Sequence, residues 1–438
     1  MRGYRRLLVV LAVAGALWIA ALAMLLGTEQ NGLIDLSVYR TGGEAWLRGM
    51  ALYDKAFPAP LTGPRLPFTY PPLAAVLFAA LTVLPWWLAV AVVVGTGIAG
   101  LAVACWLAAA RLAERNGWLG DGRARVALLA AAAVGAAPLL EPVRESVSFG
   151  QINLLLVGAI AADCLMRRTP WPRGALIGLA AAVKLTPAAF VLFFLARRQW
   201  RPVLAAAASF VAAGLLGLLL APGDTRDYWF GALLDPARIG GLEFTSNQSL
   251  RGLLHRLGLA GGVEAATWLG LSAVVGVLAL LGVAALRRSD QGRPDQGRPD
   301  QGRPGDDVAA LLVTASAALL VSPVSWSHHW VWAVLGLLWL AEYAARTRTR
   351  TGVALLVGAL AVFTAAPFWW LPYRNERELH WSVGQQLLGN AYVWVALAVV
   401  IAGAVSAVRA SRERRASRSP RLAQDTPGYP TGTIGARA

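Results

Sequence analysis

Apolar stretches long enough to cross a bilayer recur along this chain from residue 7 to residue 408, and few folds survive that pattern. A helix spanning the ~30 Å hydrocarbon layer needs about 20 mostly apolar residues, and every backbone N–H and C=O inside that layer must find its partner within the protein. The expected fold is therefore an all-α, polytopic transmembrane bundle. Charged residues make up only 15% of the 438, and no stretch reads as a soluble domain. The run Leu7 to Leu26 follows Arg2, Arg5 and Arg6 and lacks a small-residue cleavage site, which predicts a retained helix rather than a removed signal peptide.

Arginines orient the bundle. The net charge of +16 resides in clusters at 2–6, 111–125, 167–173, 197–201, 287–303, 346–350 and 409–421, at the ends of apolar runs. That placement serves the positive-inside rule and argues against a nucleic-acid partner. With these clusters cytoplasmic, residues 28–70, 141–151, 222–262, 322–330 and 367–390 face outward, both termini lie inside, and ten full crossings satisfy the count, within roughly 10–12 membrane helices. Residues 71–84 then form a partial or re-entrant helix ending at Pro85. Between Arg173 and Arg197 both ends are cytoplasmic, so "AVKLTPAAF" predicts two half-helices that turn inside the membrane with Lys184 near mid-depth. An ammonium there is costly and usually functional, although pairing with a structural acid is the plainer alternative.

The chain reads as one transmembrane domain over 1–408. The pentapeptide DQGRP, repeated within 287–307, is rich in Gly and Pro and predicts a disordered cytoplasmic linker; the basic tail 409–438 is expected to be disordered as well. Cys105 and Cys164 lie in apolar runs and suggest small core residues, neither disulfide nor metal ligands.

Polar groups gather on the segments assigned to the outer side. "LIDLSVYRTGGEAWLRG" places Leu36, Tyr39, Gly43 and Trp46 at helical spacing and predicts an amphipathic helix lying on the membrane surface, with Asp35 at its start. Asp is also a preferred capping residue, so a plain N-cap stands beside a catalytic role. "SFGQINLLL" contributes Gln151 and Asn153, and "SNQSLRGLLHRLG" contributes Asn247, Gln248 and Arg251; each could simply bridge helices. "SPVSWSHHWVW" holds two of the four histidines, His328 and His329. An aromatic belt accounts for Trp326 and Trp330 but not for adjacent imidazoles, and no zinc-ligand spacing accompanies them.

In this order the blocks "DLSVYRTGGEAWLRGMALY", "FTYPPLAAVLF", "FGQINLLL", "GLAAAVKLTPAAFVLFFL", "NQSLRGLLHRL" and "SPVSWSHHW" resemble glycosyltransferase family 87, within the C-type glycosyltransferase superfamily, over about residues 30 to 400. The resemblance implies the C-type fold and an actinobacterial enzyme of the cytoplasmic membrane. Such an enzyme moves mannose from polyprenyl-phosphate-mannose, on the outer leaflet, to a mannose-bearing glycolipid or lipoglycan through an α-(1→2) linkage. Asp35, in the first outer loop, is then the expected catalytic residue, with Tyr39 and Tyr70 joining the substrate-binding set. A polyprenyl-phosphate-arabinose donor is the alternative within the family. A lipid-linked sugar transporter or flippase is the alternative from another class, though no internal repeat supports it; a scaffold for cell-wall assembly is a third.

The chemistry asks for few groups. In an inverting displacement a carboxylate takes the proton of the attacking hydroxyl while phosphate departs as a stable anion, so a base and anion-stabilising donors suffice. Asp35 is the expected base. Arg251, the histidine pair and Lys184, in that order, are the expected donors. No cofactor is required by this scheme, and a divalent cation is the alternative source of positive charge. Apolar grooves between helices would hold the polyprenyl tail.

Overall fold

The computed structural model describes residues 2–26, 32–54, 57–59, 66–115, 122–288 and 306–424. The DQGRP repeat, the tip of the first loop and residues 425–438 lie outside them. Helices account for nearly all the regular structure: α1 (Arg2–Leu26), α2 (Ile34–Leu47), α3 (Pro72–Phe78), α4 (Trp86–Arg115), α5 (Gly122–Ala136), α6 (Glu141–Ser148), α7 (Asn153–Leu165), α8 (Ala175–Val183), α9 (Val191–Ala196), α10 (Trp200–Leu220), α11 (Pro222–Phe230), α12 (Leu250–Arg256), α13 (Gly261–Arg288), α14 (Asp306–Val321), α15 (Ala333–Thr347), α16 (Arg350–Ala365), α17 (Val383–Gly389) and α18 (Ala391–Gln424). Among the described residues the only β pairing is an isolated bridge between Asn247 and Trp326. The last helix runs past Arg409, where the sequence suggests an unstructured tail.

By length and composition α4, α10, α13 and α18 can each cross a membrane, and α5 with α6, bent by 72°, would make a fifth span. Among the described residues the first four are the helices long and apolar enough to cross alone, and the architecture is multi-pass. Several of its apolar helices are short: α7 has 13 residues and rises about 20 Å, less than the hydrocarbon thickness. Hydropathy counts apolar residues but does not say where a helix breaks. The segment 71–84 likewise stops short, as the seven-residue α3 and a 3-10 turn over 79–81.

The stretch around Lys184 is a broken hairpin. Helix α8 ends where Lys184 turns to extended geometry (φ −143°, ψ 120°), and a 3-10 turn over 186–190 containing Pro187 leads into α9. Arg197, at the end of α9, bonds Asp307, whose charge also acts on Arg173 before α8, so the hairpin begins and ends at one end of the bundle. The same end gathers Arg111 with Glu114 (3.4 Å) and Asp307 (3.8 Å), Arg115 with Asp306 (3.6 Å), and Arg167 with Glu114 (2.9 Å). Cys105 and Cys164 are buried and free.

Close packing sets α7 beside α4. A Cβ at Gly158 would fall 2.5 Å from Gly100 Cα, so the helices cross at a contact that only glycine permits. Helix α2 departs from the amphipathic surface helix expected of it. Leu36, Ser37, Val38, Tyr39, Thr41, Gly42, Gly43 and Ala45 are all buried, because Gly42 lets Phe68 close on the helix and Gly43 lets the end of α3 do so. Thr41 Oγ1 donates to the Ser37 carbonyl at 2.9 Å, which satisfies a hydroxyl that has no water to meet.

Candidate active site

Asp35 does not cap its helix. The N-cap is Leu33, in left-handed geometry (φ 54°), with no side-chain cap bond. The first N–H groups of α2 are instead taken by the end of α6: Leu33 N–H donates to the Ser148 carbonyl at 3.0 Å, and Asp35 and Leu36 donate to the Phe149 carbonyl at 3.0 and 3.2 Å. This splice needs Gly150 (φ +68°), since a Cβ there would lie 2.7 Å from Leu36 Cβ. With capping done by backbone, the half-buried Asp35 carboxylate is left for other work.

It opens into a cavity of about 1400 Å³ whose lining also includes Tyr70, Gln151, Lys184, His328 and His329. Gln151 organises this end. Its Oε1 accepts from Tyr39 OH (2.9 Å), Tyr70 OH (3.2 Å) and Lys184 Nζ (3.3 Å), which turns its amide N–H toward Asp35. Lys184 Nζ also donates to Asn153 Oδ1 at 2.8 Å and lies 5.4 Å from the centre of the Tyr70 ring. Tyr39 is fully buried behind this face, its hydroxyl oxygen 2.8 Å from that of Tyr70 and its ring stacked on Phe78 at 4.3 Å. Burial raises the Asp35 carboxyl to about 6, an effect the Gln151 bond and the Lys184 charge partly offset.

The histidine segment is held by its backbone, leaving the rings uncommitted. Ser146 Oγ and Asn153 Nδ2 donate to the His328 carbonyl at 2.8 and 2.9 Å. The two imidazoles meet edge to face at 4.6 Å, and Phe149 packs on His328 at 5.3 Å, which links them to the strut that fixes Asp35. Neither ring nitrogen of His328 has a hydrogen-bond partner, although the residue is only 5% exposed. Burial first, then the nearby Lys184 charge, keeps both imidazoles neutral, and a neutral imidazole still offers one N–H donor. A base, an ammonium and two unspent imidazoles facing one space suit a displacement in which a proton is taken at one point and an anion leaves at another.

Three residues nominated from sequence stand elsewhere. Asn247 and Gln248 are fully buried, with amides occupied by backbone: Asn247 Oδ1 accepts from Ser325 N–H at 3.0 Å, and Gln248 Nε2 donates to the Thr245 and Gly389 carbonyls at 2.9 and 2.8 Å. They brace the segment leading to the histidines rather than face the cavity. Arg251 is not in the cavity lining either; its Nε donates to Glu264 Oε1 at 2.7 Å, its guanidinium lies 5.2 Å from the Trp268 ring, and Glu264 is shared with His255 Nδ1 at 2.7 Å. Since Glu264 is only 2% exposed, Arg251→Gln is expected to destabilise the protein by roughly 2 kcal/mol, with His255 limiting the damage, and Arg251→Gln with Glu264→Gln to recover most of that loss. Apparent Tm in detergent measures both.

Residues not singled out from the sequence also line the cavity, notably Glu141, Arg144, Glu145, Arg238 and Trp369. Glu141 is 3% exposed and accepts from Trp369 Nε1 (2.9 Å) and Tyr392 OH (3.0 Å). The signal for Glu141, Arg144 and Glu145 was three charges within "EPVRES", between apolar runs and remote from any arginine cluster. Trp330 is no interfacial belt residue: it is 3% exposed and packs on Tyr392 at 5.3 Å, while Trp326 faces the cavity.

The family model described as "Glycosyltransferase family 87" matches residues 68–323. A protein of Mycolicibacterium smegmatis named "Polyprenol-phosphate-mannose-dependent alpha-(1-2)-phosphatidylinositol mannoside mannosyltransferase" is 42% identical over 92% of this chain and 90% of its own length. A Mycobacterium tuberculosis protein of the same name is 37% identical over 88% of each chain. A second M. smegmatis protein, named "Polyprenol-phosphate-mannose-dependent alpha-(1-2)-phosphatidylinositol pentamannoside mannosyltransferase", is 33% identical over 84% of this chain and 82% of its own. No solved structure matches.

Proposed function

The chain belongs to glycosyltransferase family 87 and is a membrane-embedded glycosyltransferase, and from that premise we propose that it transfers mannose from polyprenyl-phosphate-mannose to a phosphatidylinositol mannoside, forming an α-(1→2) linkage on the outer face of the cytoplasmic membrane. The observation that carries this reading is the joining of Asp35, Lys184, His328 and His329 by one cavity. Nucleotide sugars are made in the cytosol, so a site on the outer face needs a donor carried by lipid.

The acceptor hydroxyl attacks the anomeric carbon, the bond from that carbon to the phosphate oxygen breaks, and Asp35 takes the hydroxyl proton. Inversion with an α product requires a β-linked donor. Gln151, held by three donors on its Oε1, fixes one side of the Asp35 carboxylate and leaves the other free for the proton. Lys184 and the neutral imidazoles meet the charge that develops on the departing phosphate. Membranes containing the protein, given labelled polyprenyl-phosphate-mannose and phosphatidylinositol mannoside, are expected to make a glycolipid extended by one α-(1→2) mannose without any ion gradient. Product that appears only across a gradient, or no product, would overturn the reading in favour of transport.

Acid should silence the reaction early. The base works as a carboxylate, and burial lifts Asp35 from 3.8 to about 6, so kcat/KM is expected to fall about tenfold per pH unit below about 6, where an ordinary aspartate would hold its rate to about 4. Gln151→Leu removes a bond that favours the carboxylate, and its acid limb should move to higher pH. Initial rates between pH 4.5 and 8 measure both.

A further inference from the structure

The same cavity has a second wall that the chemistry at Asp35 does not use. Phe244 lies at its centre, with Trp326, Trp369 and Tyr373 standing edge-on to it at centroid distances of 6.0, 6.1 and 6.2 Å. Arg374 completes the set, its guanidinium 5.5 Å from the Tyr373 ring. All five line the cavity, together with the carboxylates Glu145 and Glu243. These rings differ from an interfacial belt. Trp370, next in sequence, is 68% exposed on the molecular surface, whereas Trp369 turns inward and is fixed by the bond from its Nε1 to Glu141.

Aromatic faces left partly open beside carboxylates and a guanidinium make a poor protein core, because the rings go uncovered, and a poor lipid contact, because the charges do. They match a pyranose or cyclitol ring well: the C–H face lies on an aromatic face while hydroxyls donate to carboxylates and accept from the guanidinium. The wall adjoins the reacting end, since Ser327, which hydrogen-bonds Glu141, directly precedes His328, and Trp326 directly precedes Ser327. The cavity of about 1400 Å³ also exceeds the ~300–1000 Å³ usual for one small ligand, leaving room for two substrates.

We propose that this aromatic wall binds the carbohydrate headgroup of the acceptor, holding its non-reacting rings so that one hydroxyl reaches Asp35. The assignment rests on the transferase reading above. The acceptor rather than the donor fits here because the donor brings a single sugar, whose anomeric carbon must lie at Asp35 with its phosphate at Lys184 and the imidazoles. The acceptor brings several rings that need a place away from the chemistry.

Initial rates in membranes test this, with acceptor varied at saturating donor and donor varied at saturating acceptor. Tyr373→Ala is expected to raise the acceptor KM roughly three- to tenfold while the donor KM stays within twofold, and Tyr373→Phe, which keeps the ring, to recover most of the loss. Trp370→Ala, on the outer surface, should change neither constant. The deacylated acceptor headgroup should compete with acceptor in the unaltered protein and compete more weakly, by the same factor, in Tyr373→Ala. A Tyr373→Ala protein that turns over with unchanged acceptor KM, or whose donor KM rises instead, overturns the assignment. Failure of the unaltered protein to make any product would sink the transferase reading itself, and that is seen before any variant is compared.

Discussion

Asp35→Asn is expected to cut kcat by about 10² to 10⁴ while leaving donor binding measurable, which corresponds to roughly 3 to 5 kcal/mol of lost transition-state stabilisation. Asparagine has almost the same shape, and its amide oxygen can still accept from Gln151, so the splice between α2 and α6 should survive. What it lacks is a lone pair basic enough to take the hydroxyl proton. Because Asp35 N–H and the helix end are satisfied by the Phe149 carbonyl, the helix has no stake in the side chain, and thermal stability should hold or rise slightly as a half-buried charge is removed. The measurement is single-turnover transfer of labelled mannose, with retention of labelled donor as the binding readout. Residual activity above a tenth of the unaltered protein would remove Asp35 from the chemistry.

Lys184→Met has the second-largest expected effect, about 10² to 10³ in kcat. Methionine fills a similar length, but it takes the positive charge from the cavity and the hydrogen bonds from Gln151 and Asn153. Two losses add. The departing phosphate loses its nearest ammonium, and Asp35 loses a charge that favours its carboxylate, so the acid limb of the pH profile should move upward as kcat falls. Lys184→Arg should restore the rate only in part, because a longer planar guanidinium spreads its charge and does not reproduce the point contacts of Nζ with Gln151 and Asn153. A Lys184→Met enzyme within tenfold of the unaltered rate, with an unmoved acid limb, would show the lysine to be structural.

The broken hairpin illustrates what could be read beforehand. Lys184 and Pro187 in an apolar run bounded by arginines announce a helix that cannot run straight, since proline lacks an N–H and an ammonium cannot rest among lipid tails. The partners of Lys184 were not readable in the same way: Gln151 and Asn153 lie 33 and 31 residues away in sequence and meet it because α7 is tied to α8, where Ile177 N–H donates to Asp163 Oδ2 at 2.9 Å. Arg251 shows the reverse. Its place in a polar block suggested the phosphate, but Glu264, 13 residues on, claims it. Helix α2 likewise carried the pattern of a surface helix and is buried, because Gly42 and Gly43 let Phe68 and the backbone after α3 pack against it.

Sequence by itself determined the solvent, the class of fold and the block of residues from which a site had to be drawn, because hydrophobic length and charge placement act through the bilayer and need no knowledge of contacts. Tertiary structure alone decided which of those polar residues share a space and which brace it. A hydrogen bond depends on distance and direction between elements far apart in the chain, and those are fixed by how the helices break and cross, which depends on glycine contacts, backbone splices and buried ion pairs that no local pattern reveals.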